Sequence, residues 1–177
     1  MLEVEAKLKP PAGQVAELRR KLEAIAPPNV RTQADTYFQH PARDLKASDE
    51  ALRLRCDDGL AITWKGPKLD APFKTREEIE FGLETNLETA TRLLEALGFT
   101  RVATVEKKRS EWHLPRADAA AVCIDEVTGL GTFVEVEVMA TDAGEGRERL
   151  EALLDELDLA DCAPVQASYL GLLLSGA

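Results

Sequence analysis

The chain has three cysteines, two histidines, only 5% aromatic residues and no long uninterrupted apolar run. Each scarcity removes a class of protein. Cys56, Cys123 and Cys162 are odd in number and far apart, so neither a disulfide framework nor a cysteine metal knuckle is expected. A reducing, cytoplasmic setting suits such usage. Two histidines make a histidine-based metal centre a poor expectation; His40 reads as loop surface and His113 as the end of a strand. A bilayer-spanning helix needs about 20 consecutive apolar residues, which are absent, so no membrane partner is expected. Glu and Lys alternate near the N-terminus, unlike a secretory signal. Positive charge is also in deficit: 22 Lys and Arg stand against 32 Asp and Glu, for a net charge of −10. General nucleic-acid binding requires a basic surface and is not expected. One small polyanion needs only a local cluster of cations, so the placement of the basic residues becomes the question.

What the 177-residue chain does have is alternation. Over residues 2–9, Leu2, Val4, Ala6 and Leu8 take one face, while Glu3, Glu5, Lys7 and Lys9 take the other, the period of a strand. Val15, Leu18, Leu22 and Ile25 then recur at helical spacing, closed by Pro27 and Pro28. Further strands are expected over residues 31–39, 51–56, 60–65, 73–83, 101–113, 120–127 and 132–139. Asp57-Asp58-Gly59 supplies a hairpin turn. Asn86 caps a helix ending at Gly98, and Thr141 or Asp142 opens another with Leu150, Leu153, Leu154 and Leu157 as its stripe. Tyr169–Leu174 forms a short apolar end segment. No repeat or linker divides the chain, so one α+β domain over residues 1–177, with mostly antiparallel strands, is expected.

The strands carry charge against their apolar faces. Residues two apart share a face, which groups Glu3, Glu5 and Lys7, then Arg53 and Arg55, then Lys107 and Arg109, then Glu135 and Glu137. Thr63 and Lys65 lie opposite Ile62 and Trp64, and Arg76, Glu78 and Glu80 lie opposite Ile79 and Phe81. A solvated outer surface would explain any one strand, but like charges repeated along a face repel unless the opposite sign lies between them. Glu-x-Glu pairs suit a hard divalent cation, Mg²⁺ or Mn²⁺. Arg and Lys suit phosphate oxygens. Burying uncompensated ions costs several kcal/mol each; a wet interior holding metal and polyanion removes that cost, with the amphipathic helices packed outside. Cys56 and Cys123 read as packing residues, and Trp64 and Trp112 as core.

Glu3-x-Glu5-x-Lys7 on a first strand resembles the signature of the CYTH superfamily, the triphosphate tunnel metalloenzymes. The likeness continues in order through Thr36-Tyr37-Phe38, Leu52-Arg53-Leu54-Arg55, Trp64-Lys65-Gly66-Pro67, Arg76 to Glu80, Glu106 to Arg109, Ile124-Asp125, Glu135-Val136-Glu137 and Ser168-Tyr169. It covers essentially the whole chain and looks most like the class IV adenylyl cyclase and thiamine triphosphatase branch. The resemblance implies a closed eight-stranded antiparallel β-barrel, a triphosphate tunnel, with helices outside. It implies metal at Glu3, Glu5, Glu135 and Glu137, with Asp125 assisting. It implies triphosphate at Lys7, Arg53, Arg55, Lys65 and Arg109, with Lys107 and Arg76 as weaker members. In a cyclase, a ribose 3′-hydroxyl attacks the α-phosphorus and pyrophosphate leaves. In a triphosphatase, water attacks a terminal phosphorus, with Lys7 and Tyr37 as an activating pair. A non-catalytic polyphosphate-binding module is a third reading. The expected partner is a small-molecule triphosphate, and the barrel side or the Tyr169–Leu174 segment offers a surface for a homodimer.

Overall fold

The computed structural model describes residues 2–68, 73–115 and 120–176. Alternation becomes strand where it was read. Strand β1 (Leu2–Leu8) is followed by helix α1 (Ala12–Glu23), β2 (Asn29–Gln39), β3 (Ala51–Cys56) and β4 (Leu60–Lys65). Then come β5 (Lys74–Arg76), β6 (Glu78–Gly82), helix α2 (Leu87–Ala96), β7 (Thr100–His113), β8 (Ala121–Val127) and β9 (Gly131–Ala140). Helices α3 (Ala143–Glu156) and α4 (Tyr169–Ser175) end the chain. The Asn86 side chain accepts from the Thr89 N–H at 2.9 Å, and Asp142 accepts from Gly144 and Glu145, so both predicted caps satisfy first-turn donors. Among the described residues no helix is long and apolar enough to cross a membrane.

All strands join one antiparallel sheet in the order β5-β1-β9-β8-β7-β2-β3-β4-β6. The eight expected strands are present, but the one over residues 73–83 is split at Glu77, and this corrects the closed barrel. Its first part, β5, pairs with β1, placing Glu3 opposite Arg76. Its second part, β6, pairs with β4, placing Lys65 opposite Glu78. The split falls where the partner changes: the Glu77 carbonyl accepts from the Gly66 N–H at 2.9 Å, one further rung of the β6–β4 register, whereas Arg76 just before it pairs with Glu3 of β1. The two edge strands therefore meet through the chain itself and not through a ladder, and the sheet is curled but incompletely closed.

The convex face is apolar and covered by helices. Val4, Ala6 and Leu8 of β1, Val122 and Ile124 of β8, and Val134, Val136 and Val138 of β9 pack with Leu18 and Leu22 of α1 and Leu150 and Leu153 of α3. Burying each such side chain contributes roughly 1.5–3 kcal/mol. Helix α3 lies so close that a Cβ on Gly146 would stand 2.7 Å from Val4 Cγ2, so only glycine fits there. Helix α2 covers Leu54 and Leu60 with Ala90 and Leu94. With the apolar faces of β1, β3, β8 and β9 turned outward onto helices, the period of two directs their charged faces inward.

Candidate active site

The concave face lines a cavity of about 1170 Å³. Glu3, Glu5 and Lys7 enter it from β1, Glu135 and Glu137 from β9, and Lys107 and Arg109 from β7. Arg53 and Arg55 enter from β3, Lys65 from β4 and Arg76 from β5, and Tyr37 also lines the wall. Every expected cation thus reaches one space, and the carboxylates divide into two kinds of environment.

The first kind is an acidic cluster. Glu3, Glu5 and Glu137 each offer an oxygen, and these atoms lie within 4.8 Å of one another. The register explains the meeting: Glu5 pairs with Glu137 across β1 and β9, and Glu3 lies one step along the same face. Burial pushes the Glu3 carboxyl up to about 7, aided by Glu78, Glu5 and Glu135 and opposed by Lys65. Burial likewise pushes Glu137 up to about 8; Arg109 opposes this, while Glu3, Glu135 and Glu5 add to it. Crowded oxygen donors that hold protons for want of positive charge fit a hard divalent cation.

The second kind is a carboxylate held by cations. Asp125 is fully buried and accepts from Arg109 Nε at 2.8 Å, Arg109 Nη2 at 2.7 Å, Lys107 Nζ at 2.9 Å and the Tyr169 hydroxyl at 3.0 Å. Glu135 contacts Lys7 Nζ at 3.2 Å and Arg109 Nη2. Asp125 and Glu135, expected with the metal ligands, are thus paired with Arg109 and lie outside the Glu3–Glu5–Glu137 group. Arg109 is the link, since its Nη1 lies 3.7 Å from Glu137. Burial works against the Arg109 charge, but Glu135 and Asp125 more than offset it and raise its pKa. Lys107 is pulled down by burial and by Arg109 beside it.

Across the cavity stands a carboxylate that the sequence reading missed. Asp35 receives Arg55 Nε at 2.7 Å and Nη2 at 2.8 Å, a bidentate pair, and Arg53 Nη1 at 3.1 Å. Burial opposes its charge, yet Arg55 and Arg53 hold its carboxyl down to about 2. Asp35 aligns the two arginines that were expected to hold phosphate. Thr63, accepting from Arg53 Nε at 3.3 Å, donates onward to Glu80 at 2.6 Å. Lys65 is ion-paired with Glu78, and Arg76 Nε lies 3.7 Å from the same carboxylate. The signal for Asp35 was parity: Arg31, Gln33, Asp35 and Tyr37 are spaced by two on β2, so Tyr37 inside implies all four inside.

Tyr169 is the other missed residue. Lys7 Nζ sits 3.7 Å from its ring centroid and Lys107 Nζ 5.2 Å, while Phe133 meets it edge-on at 5.1 Å. Helix α4 thus seats an aromatic ring beneath two cavity cations, a cation–π contact on each. Tyr37 and Tyr169 belong to one apolar cluster. Cys123, read as apolar-face packing, instead shares the inward face of Asp125 and is fully buried near Arg109. His40 and His113 stand outside the cavity lining.

An ordered set of inward carboxylates and cations on one curled antiparallel sheet is matched by the CYTH domain over residues 1–161. The chain belongs to the CYTH family. Among relatives of this CYTH chain, a Methanocaldococcus jannaschii protein provisionally named an adenylate cyclase is 36% identical, covering 97% of this chain and 98% of its own length. A solved structure of the PH1819 protein from Pyrococcus horikoshii has 33% identity and a TM-score of 0.85, covering 99% of each chain. A Hippeastrum protein, provisionally an adenylyl cyclase and described as having a dominant triphosphatase activity, shares the fold with a TM-score of 0.74 at 19% identity, over 99% of this chain and 95% of that one.

Proposed function

We propose that this CYTH chain is a divalent-metal-dependent enzyme that converts ATP to cyclic AMP and pyrophosphate within the cavity. The observation that carries the reading is one cavity holding both the Glu3–Glu5–Glu137 cluster and the facing cations Arg53, Arg55, Lys65, Lys107 and Arg109. Bare phosphate would need only the cations and a bare ion only the carboxylates, so both together suit a metal–triphosphate. Mg²⁺ or Mn²⁺ at Glu3, Glu5 and Glu137 would supply positive charge beside the phosphates.

The protein's own groups do the rest. Asp35 holds Arg53 and Arg55 in place, so their remaining N–H groups meet phosphate oxygens without first being ordered. Arg109, fixed by Asp125, and Lys7, seated on Tyr169, face the negative charge that grows on the departing pyrophosphate. In the reaction the ribose 3′-hydroxyl gives its proton to water in the cavity and its oxygen bonds to the α-phosphorus, while the bond to the bridging α–β oxygen breaks and that oxygen leaves on pyrophosphate. The name of the Methanocaldococcus jannaschii relative supports the cyclase reading.

Hydrolysis is the second reading, and the Hippeastrum protein is the observation that favours it, because the same fold carries a triphosphatase activity there. Water then replaces the 3′-hydroxyl as nucleophile, with Lys7 and Tyr37 as candidate activating groups. The deciding experiment offers ATP, GTP, thiamine triphosphate and tripolyphosphate, each with Mg²⁺ or Mn²⁺, and separates cyclic nucleotide, pyrophosphate and orthophosphate. Cyclic AMP with equimolar pyrophosphate is expected. Orthophosphate alone, fastest from tripolyphosphate or thiamine triphosphate, would replace cyclisation by hydrolysis. Binding without turnover of any substrate would leave a polyphosphate-binding module.

A further inference from the structure

Beside the phosphate cage, β2 presents two buried polar atoms that no protein group satisfies among the described residues. They are Gln33 Oε1, an acceptor, and Arg31 Nε, a donor. Both residues line the cavity, and Gln33 is only 2% exposed. The strand register sets Arg31 opposite Arg109 and Gln33 opposite Lys107, so the pair adjoins the cations without belonging to their ion pairs with Asp125.

The orientation of the Gln33 amide follows from its neighbour. Its Nε2 donates to Asp57 Oδ2 at 3.1 Å. A carboxylate only accepts, so the NH₂ must face Asp57 and the oxygen must be the open atom. Arg31 is held similarly: one guanidinium end is ion-paired with Glu111, and Nε is left over. A buried polar atom without a partner is costly, and native proteins rarely keep one unused.

Phosphate cannot meet both needs. Its oxygens accept from Arg31 Nε, but they repel Gln33 Oε1. A planar ring edge that presents an N–H beside a ring-nitrogen acceptor serves both, as adenine and aminopyrimidines do. Residues two apart on a strand share a face, so the Gln33 and Arg31 side chains address one ring edge from the same side.

We propose that Gln33 and Arg31 are the specificity-determining pair for the organic part of the substrate, Gln33 Oε1 accepting from its ring amine and Arg31 Nε donating to the adjacent ring nitrogen. The inference rests on the triphosphate reading of the cavity and names the class of molecule that reaches it, a heteroaromatic triphosphate and not inorganic triphosphate.

The test is titration calorimetry on the full chain with Mg²⁺. ATP is compared with purine riboside triphosphate, which lacks the amino group, and with thiamine triphosphate and tripolyphosphate. Wild type should bind ATP about tenfold more tightly than the riboside analogue. In Gln33→Met that gap should fall below about twofold, with tripolyphosphate binding unchanged. Arg31→Lys, which keeps the charge facing Glu111 but removes Nε, should weaken ATP and spare tripolyphosphate. If thiamine triphosphate binds more tightly than ATP and shows the same losses, the inference holds with an aminopyrimidine as the ring. A wild type that binds ATP and the analogue equally, and thiamine triphosphate no more tightly than either, overturns the inference without any variant and leaves the triphosphate reading standing. Equal loss of ATP and tripolyphosphate in Gln33→Met also overturns it. A wild type that binds no triphosphate overturns both.

Discussion

The acidic cluster makes the stability of this protein depend on pH in an unusual direction, and a divalent cation should reverse it. Glu137 has its pKa raised from 4.5 to about 8, and Glu3 from 4.5 to about 7. Between those values the folded state holds protons that the unfolded chain has released, so stability is fully present below about pH 4.5 and is lost as pH rises through 7 to 8. Each unit of pKa difference corresponds to about 1.4 kcal/mol, so Glu137 alone would contribute on the order of 5 kcal/mol. Glu3 and Glu137 repel each other, so their contributions overlap and do not sum. A joint loss on the order of 3–5 kcal/mol between pH 5 and 9 is expected for metal-free protein. Saturating Mg²⁺ or Mn²⁺ replaces the protons and adds about 2.7 kcal/mol at a hundredfold excess over Kd; its effect grows with pH because protons cease to compete. The assay is urea unfolding at each pH from 5 to 9, in chelator and in excess cation. Glu137→Gln should remove the part of the slope above about pH 7, leave the part that Glu3 carries below it, and be more stable than wild type at pH 8 without metal. A chelated wild type whose stability stays level across this window would refute the reasoning, because three crowded carboxylates could then ionise together without a cation.

Two substitutions probe the supports of the cationic wall. Asp35→Asn leaves Arg55 without the carboxylate it grips and Arg53 with only the half-exposed Glu80 at 3.7 Å, and urea unfolding at pH 7 should show a loss of about 3–5 kcal/mol. Millimolar tripolyphosphate should restore more stability to this variant than to wild type; a loss below about 1 kcal/mol would show that Asp35 is not their anchor. Tyr169→Phe keeps the ring beneath Lys7 but removes the donor to Asp125, and a loss of about 1.5–3 kcal/mol is expected from a bond to a charged group. No change in unfolding would mean that Arg109 and Lys107 alone satisfy Asp125.

How much of this was legible in the chain depended on whether a property is local or set by pairing. The face assignments of Glu3, Glu5, Lys7, Glu135 and Glu137 are local, since parity with Val4, Ala6, Val134 and Val136 decides them, and the helices on Val15, Leu18, Leu150 and Leu153 follow from the 3.6-residue period. Asp35 obeys the same parity but was hidden, because a lone acid between Gln33 and Tyr37 makes no repeated pair to notice. The role of Asp125 is not local. An inward carboxylate meets either a metal or an arginine according to its cross-strand neighbour, and the β7–β8 register places Arg109 opposite it. Closure of the sheet is likewise a pairing property: the strand over residues 73–83 changes partner at Glu77, from β1 on the Arg76 side to β4 on the Glu78 side, and so is divided where it would have sealed the barrel. A slip of one residue between β8 and β7 would turn Asp125 outward and set Ile124 or Glu126 opposite Arg109 in its place. The buried chain from Tyr169 through Asp125 to Arg109 and Glu135 therefore has a structural consequence beyond the site. It makes the alternative register expensive, so the same contacts that aim the cations also fix the strand pairing that brings Glu137 to Glu3 and Glu5.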